Sequence, residues 1–332
     1  MSLLALDIGG ANLKAADGVG FGFSRYFPLW REPQNLAAAI VALLDESPPA
    51  ERVVVTMTGE LADCFRTKTE GVHAIIDAVI AAAGKRDVRV YLTVGSFVPP
   101  EVARVRAIEA AASNWHALAT FVGRWIERSS ALLVDIGSTT TDIVPIVNGE
   151  VASTGLTDPT RIAASELVYT GVVRSPICAV TPTIPWGGAM CRTAHELFAT
   201  TWDAYLVTGD LPEEPASTHT ADGRPATVEF ARERLARAIC ADSSMFDEDD
   251  ARRAAATVAE EQLALVSEAV TTVIGSMTVH PSVIVVSGQG EFLARRAAER
   301  VLPGAEIVSL GRRLGELLSR AAPAHALAVL AS

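Results

Sequence analysis

The sequence predicts an α/β fold of two lobes built to one design, with a cleft between them. Three observations carry this. Leu3-Leu-Ala-Leu-Asp-Ile-Gly-Gly-Ala-Asn-Leu-Lys14 and Ala131-Leu-Leu-Val-Asp-Ile-Gly-Ser-Thr-Thr-Thr-Asp142 both write an apolar run, then Asp, one apolar residue, Gly and small polar residues. Each opens the same order of elements, three strands followed by alternating helix and strand. A later strand ends in Ser287-Gly-Gln-Gly290 just before a helix.

In the first lobe, residues 3–9, 12–17 and 20–28 read as strands, with turns at Gly9-Gly10 and Asp17-Gly18. Asn35 is placed to cap a helix over 36–44, which Ser47-Pro-Pro49 stops before the strand 52–56. A helix over 71–83, a strand over 88–94 and a helix from Pro99-Pro100 follow, and residues 114–128 bridge to the second half. There the order restarts with strands 131–136 and 142–147, the turn Asn148-Gly149 and a third strand from Glu150. Residues 155–245 hold most of the loop signals and read as a largely irregular insertion, with a helix over 192–200. A helix over 249–277, a strand over 283–286, a helix over 292–301, a strand over 306–310 and an alanine-rich final helix complete the lobe. The division is 1–128 for the first lobe and 129–332 for the second.

Length and composition suit two cores: 332 residues, 49% of them hydrophobic. A net charge of −11 argues against nucleic acid and against an anionic membrane surface, both of which require a basic face. Small molecules or proteins remain as partners, and an oligomer is possible. Apolar runs such as Ser282-Val-Ile-Val-Val286 fall well short of the ~20 residues of a membrane span. The first strand begins after two residues, so no cleavable signal is expected and the cytoplasm is the expected location. Four dispersed cysteines without CxxC pairing read as reduced, mostly buried thiols.

A strand that ends in Asp-x-Gly and turns back at once sets a carboxylate beside exposed backbone amides. Such a turn holds phosphate. Gly9, Gly10 and Asn12 in one copy, and Gly137 with the hydroxyls of Ser138, Thr139 and Thr140 in the other, are the candidate phosphate contacts. Asp7 and Asp135 would hold Mg2+, an ion that shares its shell with phosphate oxygens. Lys14 could return along the second strand as a point charge. Asp142 follows the second loop by alternation and could serve either the metal or a proton transfer. Thr58-Gly59-Glu60 forms a further turn after a strand, adding Thr58 and Gly59 to the phosphate candidates and Glu60 to the candidate bases. Between Glu60 and Asp142 the sequence does not choose.

These residues resemble the two phosphate loops, and Gly288, Gln289 and Gly290 the nucleotide-base loop, of the superfamily of actin, sugar kinases, Hsp70-type chaperones and acetate kinase. The resemblance implies duplicated actin-like, or ribonuclease H-like, lobes. Within that superfamily the chain resembles the hydantoinase/oxoprolinase-like branch, and there proteins of the tetrahydromethanopterin-linked one-carbon pathway. The stretches that carry this are Asp7-Ile-Gly-Gly-Ala-Asn-Leu-Lys14, Val55 to Asp63 with Lys68-Thr-Glu-Gly71, Asn114 to Ala119, Glu196 to Thr200 with Asp203, and Thr220 to Pro225.

What the resemblance implies is a transferase of methanofuran biosynthesis. It would join (5-(aminomethyl)furan-3-yl)methyl diphosphate to γ-glutamyltyramine as an aryl ether and release diphosphate. The loops with Mg2+ would then neutralise charge growing on the leaving group, and a carboxylate would take the phenol proton. The insertion would line the acceptor side through Arg161, Arg174, Asp203 and Asp222, an Arg suiting a carboxylate and an Asp an ammonium. Two rivals share the fold: ATP-dependent phosphoryl transfer or hydrolysis, and a non-catalytic nucleotide sensor or scaffold.

Overall fold

The structure is a computed structural model that describes residues 2–126 and 129–332. The expected lobe boundary at 128 therefore lies outside the described residues, as does the end of the 114–128 bridge.

The first sheet is built from β1 (Leu3–Ile8), β2 (Asn12–Ala16), β3 (Gly22–Tyr26), β4 (Arg52–Met57), β5 (Asp87–Tyr91) and β6 (Phe97–Val98), in the order β3-β2-β1-β4-β5-β6. The second uses β7 (Ser130–Ile136), β8 (Thr141–Val147), β9 (Glu150–Val151), β10 (Leu167–Val168), β13 (Val283–Ser287) and β14 (Glu306–Ser309). Its order is β10-β8-β7-β13-β14, with β9 also on β8. β1 pairs antiparallel with β2 and parallel with β4; β7 pairs antiparallel with β8 and parallel with β13. The two sheets repeat one topology, that of duplicated actin-like lobes.

Both inner strand pairs are buried on two faces, which is why β1, β4 and β7 read as near-continuous apolar runs. One face of the first sheet packs on the helices Leu36–Asp45 and Lys68–Ala83 through Leu4, Leu6, Val53, Val55, Ile40 and Ile75. In the second lobe Leu132, Val134 and Ile284 pack on Val266, Val270 and Val273 of the long helix Glu248–Ser276. Between the sheets lie two helices, Asn114–Gly123 and Ala322–Ala331. Ala117, Leu327 and Ala328 meet Ala5 and Val54 of the first sheet, while Leu118, Ala322 and Ala326 meet Leu133 and Val144 of the second. The alanines let two backbones fit between sheets that larger side chains would hold apart.

Several elements differ from expectation. The strand expected to reach 94 stops at Tyr91, and Thr67, whose hydroxyl accepts from the Glu70 amide, starts the preceding helix at Lys68 rather than 71. Asn35 makes no side-chain cap; it closes a short 3-10 turn and donates to Glu32. The helix expected over 192–200 is absent: a hairpin of β11 (Thr183–Trp186) and β12 (Ala189–Arg192) precedes that stretch, residues 193–200 run without helix, and the helix Thr201–Thr208 follows. Gly187 and Gly188, at φ of 59° and 82°, supply the two positive-φ positions that such a two-residue turn demands. The insertion is also better ordered than expected, with helices Asp158–Ala163, Ile177–Val180 and Val228–Arg237. The final helix is broken into Leu310–Leu314, Glu316–Arg320 and Ala322–Ala331. The cysteines, expected to be buried, are partly or fully exposed.

Candidate functional site

Both hairpins close with the same turn: Gly9 donates to the Asn12 carbonyl and Gly137 to the Thr140 carbonyl, each at 2.9 Å. Across the hairpins, Asp7 stands opposite Lys14 and Asp135 opposite Asp142. Among the described residues, the amides of Gly10 and Ala11 in one loop, and Ser138 and Thr139 in the other, have no backbone acceptor. A Cβ added to Gly10 would meet nothing within 4 Å. Unpartnered amides in an open turn make an anion-binding concavity.

The two loops share one space. Lys14 donates to Asp7 at 3.0 Å. Burial works against its charge, but Asp7 and, from the other loop, Asp135 hold the ammonium above its ordinary value. The second oxygen of Asp7, Oδ1, is buried without a hydrogen-bond partner. Burial pushes Asp135 up to about 6; Asp142 and Asp7 add to this, while the Ser287 hydroxyl and Lys14 oppose it.

Asp142 has a different setting. Arg161, itself 1% exposed, donates to it at 2.7 Å, gives a second bond to the Glu166 carbonyl at 2.8 Å, and stacks over Trp115 at 3.9 Å. Burial raises Asp142 and Arg161 opposes that rise. Among the described residues no three His, Cys, Asp or Glu side chains group as a ready metal site. Of the three aspartates expected to hold Mg2+, Asp142 is engaged by Arg161 through Oδ1, Asp7 by Lys14, and Asp135 faces Asp142 across its hairpin. The pairing with Asp142 withdraws Arg161 from a substrate carboxylate.

Glu60 is 1% exposed, and its Oε2 is buried without a partner. Lys68 lies 4.0 Å from Oε1 and forms an ion pair with Asp158, which belongs to the second half of the chain. Burial pushes the Glu60 carboxyl up to about 7; its own amide, Lys68 and the Ala112 amide pull it down, and Asp158 pushes it up. Ala112 sits at φ 47°, in the left-handed region that alanine rarely adopts. Thr56 and Ser113 share a buried hydrogen bond of 2.8 Å beside it. Glu60 therefore occupies the joint between the lobes.

Other expected contacts are turned inward. The amides of Thr58 and Gly59 both donate to the Ile8 carbonyl, at 2.9 and 3.0 Å, and a Cβ on Gly59 would strike Leu29 Cδ2 at 2.6 Å. Their backbone buttresses the first loop instead of facing an anion, which leaves the Thr58 hydroxyl. Gly290 donates to the Ile136 carbonyl at 2.8 Å, and a Cβ on Gly288, at φ 89°, would stand 2.3 Å from that oxygen and 2.8 Å from Asp135 Oδ1. These glycines are accounted for by close packing on the second loop; Gln289 between them is exposed.

Asp203 and Asp222 are likewise occupied. Asp203 caps the helix Thr201–Thr208 through the Thr200 amide at 2.9 Å and pairs with Arg234, fully buried, at 2.7 Å. Asp222 gathers Arg224, Arg234 and Arg237; burial alone would raise it, but these donors hold it down at about 2. Both aspartates are thus engaged by arginines of the insertion. Of the four expected acceptor residues Arg174 alone is free of carboxylates among the described residues: it is exposed, with its guanidinium 4.7 Å above the Trp30 ring. No local signal in the sequence marks Trp30, Lys68 or Asp158 for this site. Lys68 falls in the stretch Lys68-Thr-Glu-Gly71, but its partner is 90 residues away.

Comparisons with known proteins bear on the family and the fold. The chain is 34% identical over 331 residues, 99% of its length and 97% of the other, to (4-{4-[2-(gamma-L-glutamylamino)ethyl]phenoxymethyl}furan-2-yl)methanamine synthase of Methanocaldococcus jannaschii. A synthase of the same name from Methanococcus vannielii is 32% identical over 214 residues, covering 64% of this chain and 95% of that one. Among solved structures, nucleotide-free acetone carboxylase, from work on ATP-dependent acetone carboxylation, superposes with a TM-score of 0.50 at 14% identity. That match covers 97% of this chain and 51% of the carboxylase chain, so the chain spans about half its length. The family model for hydantoinase/oxoprolinase matches residues 51–328, and with this coverage the chain belongs to the hydantoinase/oxoprolinase family.

Proposed function

We propose that the protein is a transferase of methanofuran biosynthesis that joins (5-(aminomethyl)furan-3-yl)methyl diphosphate to the phenol of γ-glutamyltyramine. The observation that carries this reading is the near full-length identity to a synthase whose named product is a phenoxymethyl-furan ether. Such a product requires a bond between a phenol oxygen and a furylmethyl carbon. In the reaction proposed, that bond forms as the carbon–oxygen bond to diphosphate breaks, the phenol proton passes to a base, and the diphosphate departs with its bonding electrons.

The geometry supports each part. The loop amides at Gly10, Ala11, Ser138 and Thr139, with Lys14, would hold the diphosphate and oppose the charge that develops on it. Asp7 and Asp135 suit Mg2+: they lie on opposite loops, one oxygen of Asp7 is unpartnered, and the ion keeps water and phosphate oxygens for the rest of its shell. When bound, the ion supplies further charge stabilisation at the leaving group. Glu60 is the base this reading favours, since a carboxyl tuned to about 7 accepts a proton well near neutral pH, whereas Asp142 is neutralised by Arg161.

The test is direct incubation of the protein with Mg2+, the furan diphosphate and γ-glutamyltyramine, followed by mass spectrometry. The ether and free diphosphate should appear in equal amounts. If no ether forms and a parallel incubation with Mg-ATP shows ATP hydrolysis, the phosphoryl-transfer reading of the fold is favoured instead.

A further inference from the structure

Two side chains without a role in that reaction meet at the junction of the loops. Trp30 follows Leu29, whose amide donates to the Gly10 carbonyl at 3.0 Å, and Arg174 donates its own amide to the Ser138 carbonyl at 2.9 Å. Each is anchored through the backbone to one Asp-x-Gly loop, and the guanidinium rests on the indole 4.7 Å from its centre. Arg161 and Arg234 are each locked to a buried aspartate. Among the described residues Arg174 has no such partner, and its guanidinium, a fork of five donors, rests on an aromatic ring where the other two meet a carboxylate. Stacking of this kind at an exposed site is weaker than a charge-assisted bond to phosphate. An anion held between the loops would therefore draw Arg174 off the indole and leave that face open to a flat ring.

We propose that Trp30 and Arg174 form a recognition clamp for an aromatic diphosphate ester, Arg174 engaging the diphosphate and Trp30 stacking on the ring. This rests on the reading of the cleft as a diphosphate site. It adds a basis for selectivity: aliphatic diphosphates meet the guanidinium but gain nothing from the indole. The clamp also couples the two lobes, because its halves hang from different loops.

The experiment is calorimetric titration with magnesium diphosphate and with furfuryl diphosphate. The proteins are wild type, Arg174→Met, Trp30→Leu, and His219→Ala, which removes a different ring stack between the same halves, Tyr26 on His219 at 3.6 Å. Arg174→Met should bind both probes about tenfold more weakly or worse. Trp30→Leu should bind inorganic diphosphate as wild type does and lose about tenfold for furfuryl diphosphate, and Trp30→Phe should recover part of that loss. His219→Ala should bind both unchanged. Wild-type affinity for both probes in Arg174→Met and Trp30→Leu would overturn the clamp, as would equal losses in His219→Ala. If Asp7→Asn weakens diphosphate binding while Arg174→Met leaves it at the wild-type value, the clamp alone falls. If wild type binds neither probe, the diphosphate reading falls with it.

Discussion

Lys14 and Asp142 occupy the same register position in the two hairpins, each directly across from the aspartate that ends its loop strand. Duplication thus preserved the frame and reversed the charge. In the first lobe the carboxylate gains an ammonium at 3.0 Å; in the second, two carboxylates face each other and the outer one takes Arg161. Among the residues described, Lys14 is thus a positive charge that acts on both loop aspartates. Lys14→Met should fold and yet lose about tenfold or more in diphosphate affinity, measured by calorimetry. Unchanged affinity would remove Lys14 from the anion site.

Asp7→Asn and Asp135→Asn should each retain the fold by circular dichroism and reduce turnover by about a hundredfold or more, the scale of losing one group that stabilises leaving-group charge. Higher Mg2+ should recover part of the rate if the loss is one of metal affinity. Full activity in either variant would take that residue out of the mechanism.

Glu60 predicts a pH dependence of definite sign. A base pushed up to about 7 must be ionised to act, so the rate should rise as pH passes through that region. Glu60→Gln should flatten the profile, and a more acidic fluorinated phenol should restore part of its rate. Stability moves the other way. Because the folded carboxyl holds its proton to higher pH than the unfolded one, its burial is tolerated below the unfolded value near 4.5 and becomes destabilising as pH rises through about 7. Glu60→Gln should thus be more stable than wild type at pH 8, by on the order of 3 kcal/mol at most, with the gain vanishing toward pH 5.

Lys68 and Asp158 act on Glu60 with opposite signs. Asp158→Asn should therefore lower the midpoint of the pH–rate profile, and Lys68→Met should raise it. Movement of both midpoints in one direction would show that the pair serves only to join the lobes.

Arg234 is fully buried with Asp203. Arg234→Ala leaves that carboxylate without its partner and should cost about 3–5 kcal/mol in denaturant unfolding. Were Asp203 a substrate ligand, the stability would change little and KM would carry the effect.

The duplicated loops were legible because Asp-x-Gly after an apolar strand writes a local, twice-repeated signal. The register that sets Asp7 against Lys14 and Asp135 against Asp142 follows from it. What escaped the sequence depends on distant partners. Nothing near Asp142 announces Arg161, nothing near Asp203 announces Arg234, and the glycines of 288–290 read as ligand contacts until their packing on Ile136 is seen. Exposed or buried, a charged residue looks alike in one dimension. Trp30 and Arg174 likewise became a pair only once the fold brought their loops together.

In the proposed reaction carbon, and not phosphorus, is transferred. γ-Glutamyltyramine carrying 18O at the phenol separates the two. The ether should retain all of the label and the diphosphate should carry none. Label recovered in a phosphate ester of the phenol, or no labelled ether from substrates that the protein binds, would contradict carbon transfer.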